Sequence, residues 1–338
     1  MPQVPPVPTP APTGDGAARG STRRPVLPTG TGMTSLPDRP GFRRITRTVA
    51  LGGGGLTLLG VTGVGVLVAE ARLARRWIVR RMTTQHHVDG RYDATGRQAG
   101  HDHAGRDDRA GSRVLVAAVL GDSAAAGLGA DDPSATPGVL LATGLAARTG
   151  RPVDLVTATR IGAVSAELAG FVDRLETDDV HPEVVLVIVG GNDVTHRVPA
   201  ALAARQLGDA VARLVDLGAL VVVGTVPDLS TITSVQQPLR ALGGRWSRQL
   251  AIAQTTAIRA AGGHPVDLRG LTAGEFHAEA ATLFSDDRFH PSADGYRRTM
   301  AHVVPVVLDL LDRVDRADRA AGPVPGPRAL PEPRVTDG

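Results

Sequence analysis

Residues 113–129 read RVLVAAVLGDSAAAGLG, and the change of character halfway along that stretch decides the fold. Residues 114–120 form an unbroken apolar run rich in β-branched side chains, the signature of a strand buried on both faces of a parallel sheet. The run ends at Gly121-Asp122-Ser123, and a segment of small residues with helical potential follows. A serine at a strand-to-helix turn lies on the carboxyl edge of the sheet, where open α/β sheets bind ligands. A helix beginning there would offer unpaired N–H groups and a partial positive charge to a developing oxyanion.

Outward from this stretch, residues 113–314 alternate between strand and helix patterns. Helical periods or boundary signals fall at 137–149, 164–175, 199–217, 246–261 and 293–314. Apolar strand runs fall at 153–157, 184–189, 220–226 and, more weakly, 265–268. Repeated β–α units require right-handed crossovers and a mostly parallel sheet covered on both faces. The fold predicted is therefore a flavodoxin-like three-layer α/β/α sandwich on a five-stranded sheet. Residues 227–245 read as a long connection after the fourth strand, a candidate lid or pocket wall.

Two further stretches place polar chemistry on the same sheet edge. After the strand at 184–189 comes Gly190-Gly191-Asn192-Asp193, where Asn192 could donate an amide N–H to an oxyanion. Before the last helix comes Asp287-Arg288-Phe289-His290. Three residues apart, the carboxylate can reach the imidazole, fix its tautomer and stabilise the imidazolium formed when it takes a serine proton. Asp286 competes for that place, although the spacing favours Asp287. Thr195, His196 and Arg197 follow the Asn-Asp pair directly and are candidate substrate-loop residues.

Taken together, these segments resemble the SGNH hydrolase family, also called GDSL-type esterases and lipases, over residues 113–314. The first family block matches Gly121, Asp122 and Ser123. The third matches Gly190, Asn192 and Asp193, and the fifth matches Asp287 and His290; order and spacing agree. Gly162 is the candidate for the second block, which lacks the upstream asparagine often seen in the family. The first block lacks the leucine of the name. The resemblance implies the SGNH fold and a carboxylic ester hydrolase with Ser123 as nucleophile, His290 as base and Asp287 as its orienting acid. It also implies an oxyanion hole from the Ser123 and Gly162 N–H groups and the Asn192 side chain. No cofactor and no metal are expected. Its substrates would be acyl esters of lipids, glycans or small molecules. Acyl transfer or thioesterase action on the same site, and a non-catalytic flavodoxin-like binding domain, are the alternatives. A nucleotide hydrolase is disfavoured, because the glycine-rich run lacks Gly-Lys-Ser/Thr and the chain has no lysine at all.

Composition limits the remaining classes. The 338 residues contain no cysteine, which excludes disulfides and thiolate metal sites. All 37 basic side chains are arginine, balanced by 34 acids to a net charge of +3, and aromatics are only 3%. Nucleic-acid binding, which needs clustered basic residues interleaved with aromatics, is not expected.

Residues 1–44 are Pro/Gly-rich and predicted disordered. Within 45–82, residues 49–69 carry no charge, and 21 residues at about 1.5 Å each span roughly 30 Å, a hydrocarbon core. A single-pass anchor in a bacterial cell membrane is expected, with signal cleavage after residues 69–71 as the alternative and the orientation open. Residues 83–112 read as a polar linker despite His86, His87, His101, Asp102 and His103, and 315–338 as a Pro-rich disordered tail.

Overall fold

The computed structural model describes residues 85–96, 98–99 and 113–321. The proposed membrane span lies outside these residues, as do the predicted disordered N-terminal segment, most of the predicted linker and most of the C-terminal tail. Among the described residues no helix is long and apolar enough to cross a membrane.

The strand read from the opening stretch is β3 (Leu115–Gly121). It lies in the sheet's interior, parallel to β4 (Val153–Thr159) on one side and to β5 (Val184–Ile188) on the other. The sheet then continues through β6 (Leu220–Gly224) and β7 (His264–Val266), both parallel. Strand alternation sorts the apolar side chains of β3 onto two faces. Leu115, Ala117 and Val119 pack with α1 (Pro137–Thr149) and α8 (Ala293–Ala321). Ala118 and Leu120 pack with α2 (Leu168–Thr177), α4 (Ala200–Asp216) and the far end of α5 (Leu239–Ala260). This is the expected three-layer sandwich.

Among the described residues the sheet has seven strands rather than five. Two come from the segment read as a linker: β1 (Gly90–Tyr92) pairs antiparallel with β4, and β2 (Gln98–Ala99) pairs with β1. β1 is held by more than its ladder. Val88 and Tyr92 are buried in the main core, Arg91 makes a bidentate pair with Asp154 at 2.7 and 2.9 Å, and Asp89 accepts from the Thr157 N–H at 2.9 Å. His86 and its neighbours thus belong to the domain edge. Polar side chains and a three-residue length hid this strand from a pattern that looks for apolar runs.

Three other expectations change. The segment after Ser123 forms consecutive turns instead of a helix, because Gly127 and Gly129 take positive φ values of 72° and 103°. A 3-10 turn follows only at Pro133–Ala135 and the next α-helix at Pro137, so no helix N-terminus sits at the serine. The connection at 227–245 is shorter than predicted, since a 3-10 turn occupies Leu229–Thr231 and α5 already starts at Leu239. The final helix runs on to Ala321, into the predicted tail. Among the described residues, three α-helices have no counterpart in the sequence pattern: a five-residue helix at Gly191–Thr195, α6 (Leu268–Ala278), with two glycines in eleven residues, and the single-turn α7 (Ala280–Leu283).

Candidate active site

Ser123 sits two residues beyond the end of β3, and the turn that carries it depends on Gly121. That glycine has φ 143°, and a Cβ there would lie 1.9 Å from the Ile188 carbonyl oxygen of β5. The chain bends sharply because only glycine can pass so close to its neighbour strand. The turn is then closed by Ala126 N–H to the Asp122 carbonyl at 3.1 Å and Leu128 N–H to the Ser123 carbonyl at 2.9 Å.

His290 arrives from 167 positions along the chain, on the loop before α8. Ser285 N–H donates to the His290 carbonyl at 2.9 Å and Ser292 N–H to the Leu283 carbonyl at 2.9 Å, which folds the loop over the turn at Gly129. There the packing is so close that a Cβ on Gly129 would stand 2.9 Å from the His290 Cβ. The imidazole lies edge-on to Phe289, centroids 4.9 Å apart. Its Nε2 is 2.9 Å from Ser123 Oγ and its Nδ1 is 2.6 Å from Asp287 Oδ2.

Asp287 is a saturated acceptor. Besides the imidazole, it takes hydrogen bonds at 2.8 Å from the Ser285 hydroxyl and from the N–H groups of Phe289 and His290. Burial by itself raises its pKa; the bonds from His290 and the backbone outweigh this and hold the carboxyl below its ordinary value. It therefore stays ionised opposite Nδ1, where an anion fixes the Nδ1–H tautomer.

Asn192 stands in α3 (Gly191–Thr195), the short helix after β5, and its Nδ2 donates to Asp122 Oδ2 at 3.3 Å. Asp122 also accepts from Ala124 N–H at 2.9 Å through Oδ1. Burial pushes its pKa up to about 6, against the opposing pull of those bonds and of His290. Asp193 is buried and takes both the N–H and the hydroxyl of Ser165, which ties α3 to the loop after β4. Burial raises its pKa, and the Ser165 bonds partly oppose this.

That loop carries Gly162, with φ 81° and open space where a Cβ would be. Arg160 N–H donates to the Gly121 carbonyl at 3.1 Å, so the loop lies against the serine turn. Gly190 takes φ 133° at the start of α3. Thr195 and His196 are exposed and hydrogen-bond back to the Asn192 carbonyl at 3.1 and 2.8 Å. Arg197 lies over the Trp246 ring, 5.3 Å from its centroid.

A cavity of about 120 Å³ opens on Asp122, Ser123, Asn192 and His290 and is walled by apolar side chains from α6, α8 and the segment after β6. Sequence reasoning missed most of that wall, including Tyr296, whose hydroxyl donates to the Leu128 carbonyl at 2.8 Å. Among the described residues, no group of three or more His, Asp or Glu side chains is arranged to hold a metal ion. His101, Asp102 and His103 lie outside them.

The arrangement defines a three-layer α/β protein with a hydrogen-bonded serine–histidine–aspartate chain at the carboxyl edge of its sheet. The model of the GDSL-like Lipase/Acylhydrolase family matches residues 119–298, and the chain belongs to that family. It is 44% identical over 178 residues to the GDSL-like esterase Rv1075c of Mycobacterium tuberculosis, an alignment covering 53% of this chain. The chain spans 57% of that relative's length. Among solved structures, a lipase/acylhydrolase from Enterococcus faecalis is similar at 19% identity and TM-score 0.44, covering 58% of this chain and 96% of that one. An extracellular lipase from Streptomyces rimosus is similar at 19% identity and TM-score 0.40, covering 57% and 97%.

Proposed function

We propose that this chain is a serine carboxylic ester hydrolase working through an acyl-enzyme. Ser123 Oγ attacks the ester carbonyl carbon while His290 Nε2 takes the hydroxyl proton. The resulting oxyanion is held by the N–H groups of Ser123 and Gly162 and by the Asn192 side chain. Its collapse expels the alcohol, which receives the proton back from His290. Water then repeats the sequence on the acyl-serine, releasing the acid and restoring the hydroxyl. Asp287 keeps the imidazole oriented and offsets its positive charge in both halves.

One observation carries this reading: the continuous relay from Ser123 Oγ through His290 to Asp287, at 2.9 and 2.6 Å. Membership of the family and the likeness to an esterase over 178 residues support it.

The test is hydrolysis of p-nitrophenyl esters together with labelling by a fluorophosphonate probe, in the wild type and in Ser123→Ala. The variant is expected to lose both, keeping at most the small residual rate due to binding and oxyanion stabilisation. Unchanged hydrolysis or labelling would overturn the assignment. On the sequence alone we also propose that residues 49–69 tether the enzyme to a membrane. Release of the full chain into the soluble fraction without detergent would refute that part.

A further inference from the structure

Arginine is distributed unevenly over the domain. On most elements it is matched: Arg151 with Glu183 at 2.6 Å, Arg213 with Asp173 and Glu176 at 2.7 and 2.9 Å, Arg313 with Asp309 at 2.6 Å. Residues 229–266 break that pattern, holding four arginines and no acid at all. The acids at either end of the run are already engaged, Asp228 with Arg269 at 2.7 Å and Asp267 with the Gly270 N–H at 3.0 Å. All four arginines lie on α5. Its solvent face repeats at helical spacing through Arg245, Arg248, Ile252 and Arg259, each of them exposed. Ile252 is 65% exposed, the most of any large apolar side chain among the described residues. Trp246, half-buried, borders this stripe beneath Arg197, which reaches it from a residue with φ 57°, a left-handed backbone uncommon outside glycine. Arg197, Arg240, Arg245 and Arg248 make no ion pair among the described residues.

We propose that this arginine face docks the domain on a bilayer containing anionic phospholipid. Charge complementarity selects the occupant: guanidinium groups stay cationic, and an anionic lipid surface attracts basic residues held within a Debye length of it. The apolar members of the face point the same way. A basic helical stripe with a protruding aliphatic residue and a bordering tryptophan suits a membrane interface, the cations meeting phosphates, the isoleucine entering the acyl boundary and the indole lying at headgroup depth. Nucleic acid would meet the same cations but gain nothing from Ile252. A groove of about 250 Å³ between Arg197, Trp246 and Gln249 gives the headgroup layer room to settle. The first half of α5 also backs the cavity wall, since Ser247 Oγ accepts from the Leu229 N–H at 3.3 Å and Leu229 lines the cavity that opens on Ser123. Docking here would hold that cavity near the lipid–water boundary. The proposal concerns α5 and Arg197 alone, and stands apart from both the esterase reading and any span at residues 49–69.

The experiment follows Trp246 fluorescence in the full chain carrying Trp77→Phe, which leaves Trp246 as the sole tryptophan. The chain is reconstituted into vesicles of phosphatidylcholine, alone or mixed with phosphatidylglycerol, that contain a lipid spin-labelled at its headgroup as quencher. If residues 49–69 do not insert, the same vesicles added from outside give the same comparison. Quenching should appear with phosphatidylglycerol, be absent without it, and vanish in about 0.5 M salt, where the Debye length is roughly 4 Å. Arg245→Gln combined with Arg248→Gln should weaken docking about 25-fold, roughly fivefold per arginine, the equivalent of about 1 kcal/mol each. Arg148→Gln combined with Arg313→Gln removes the same charge from α1 and α8, on the other face of the sheet, and should leave docking unchanged. Equal quenching in the two kinds of vesicle, or equal losses in the two double variants, would overturn the proposal. So would a short DNA duplex that alters Trp246 emission as strongly as the anionic vesicles at the same salt, which would give the face to nucleic acid.

Discussion

Asp287 and Asp122 are both buried carboxylates within reach of the same histidine, yet their surroundings drive them in opposite directions. Asp287 accepts bonds from a ring N–H, a hydroxyl and two backbone N–H groups and is held ionised. In Asp287→Asn the amide can no longer fix the Nδ1–H tautomer, so kcat should fall on the order of 10,000-fold with the fold intact. A pNP-ester assay beside circular dichroism checks this; a loss of only a few fold would deny Asp287 its place in the relay. Asp122 has fewer bonds, and burial raises its pKa to about 6 from the ordinary 3.8. The folded state thus binds a proton more readily than the unfolded one. This stabilising contribution is complete below about pH 4 and is lost as pH rises through about 6. Relative to Asp122→Asn, the wild type should therefore gain stability as pH drops from 7 to 4, by on the order of 2–3 kcal/mol for a shift of about two units. Urea midpoints at the two pH values measure it, and a constant difference between the proteins would refute it. That Ser123, His290, Asp287 and Asn192 come together at one sheet edge was legible because each lies in a short polar motif beside a strand end or helix start. The cavity wall was not, since Phe276, Tyr296 and Met300 look like any core residues until helices far apart in sequence are brought together.

The strands explain why so much of the fold could be read. β3, β5 and β6 are buried on both faces, and such strands leave a continuous apolar run in the sequence. Weak or short elements leave no comparable trace. α6, with sequence LRGLTAGEFHA, carries its buried Leu268, Thr272 and Phe276 at a helical spacing of four but is diluted by two glycines. The helix expected after Ser123 had the right composition, and the positive φ values of Gly127 and Gly129 exclude it. Glycines at element ends therefore do different work, and substitution should separate them. Gly121→Ala would drive a Cβ to 1.9 Å from the Ile188 carbonyl, at backbone atoms that cannot yield without parting β3 from β5. Loss of more than about 4 kcal/mol, or failure to fold, is expected. Gly162→Ala meets nothing within 4 Å and should cost only about 1–2 kcal/mol for its left-handed backbone. Chemical denaturation of the pair decides the matter; equal losses would mean that contact at Gly121 is not what demands glycine there.

At the scale of the molecule, the outer strands test where the domain begins. The match to the family starts at residue 119, yet the described structure recruits an earlier segment, and the two readings make different demands on stability. If residues 85–92 merely trailed from the domain, deleting them from the full chain would leave the unfolding midpoint unchanged. The structure argues otherwise. Val88 and Tyr92 are 5% and 4% exposed in the main core cluster, and two such side chains at about 1.5–3 kcal/mol each amount to roughly 3–6 kcal/mol. Arg91 and Asp154 form a half-buried bidentate pair whose loss would leave Asp154 without that partner. The deletion would also uncover the edge of β4, whose unpaired N–H and C=O groups invite pairing with a second chain. Against a total stability of some 5–15 kcal/mol, this is a large fraction. The shortened protein should unfold at markedly lower urea and aggregate at concentrations the full chain tolerates. On the proposed function, hydrolysis of p-nitrophenyl esters at low temperature should persist wherever the protein stays folded, since none of Ser123, His290, Asp287 and Asn192 lies in the deleted segment. An unshifted midpoint would place the domain boundary at β3 after all.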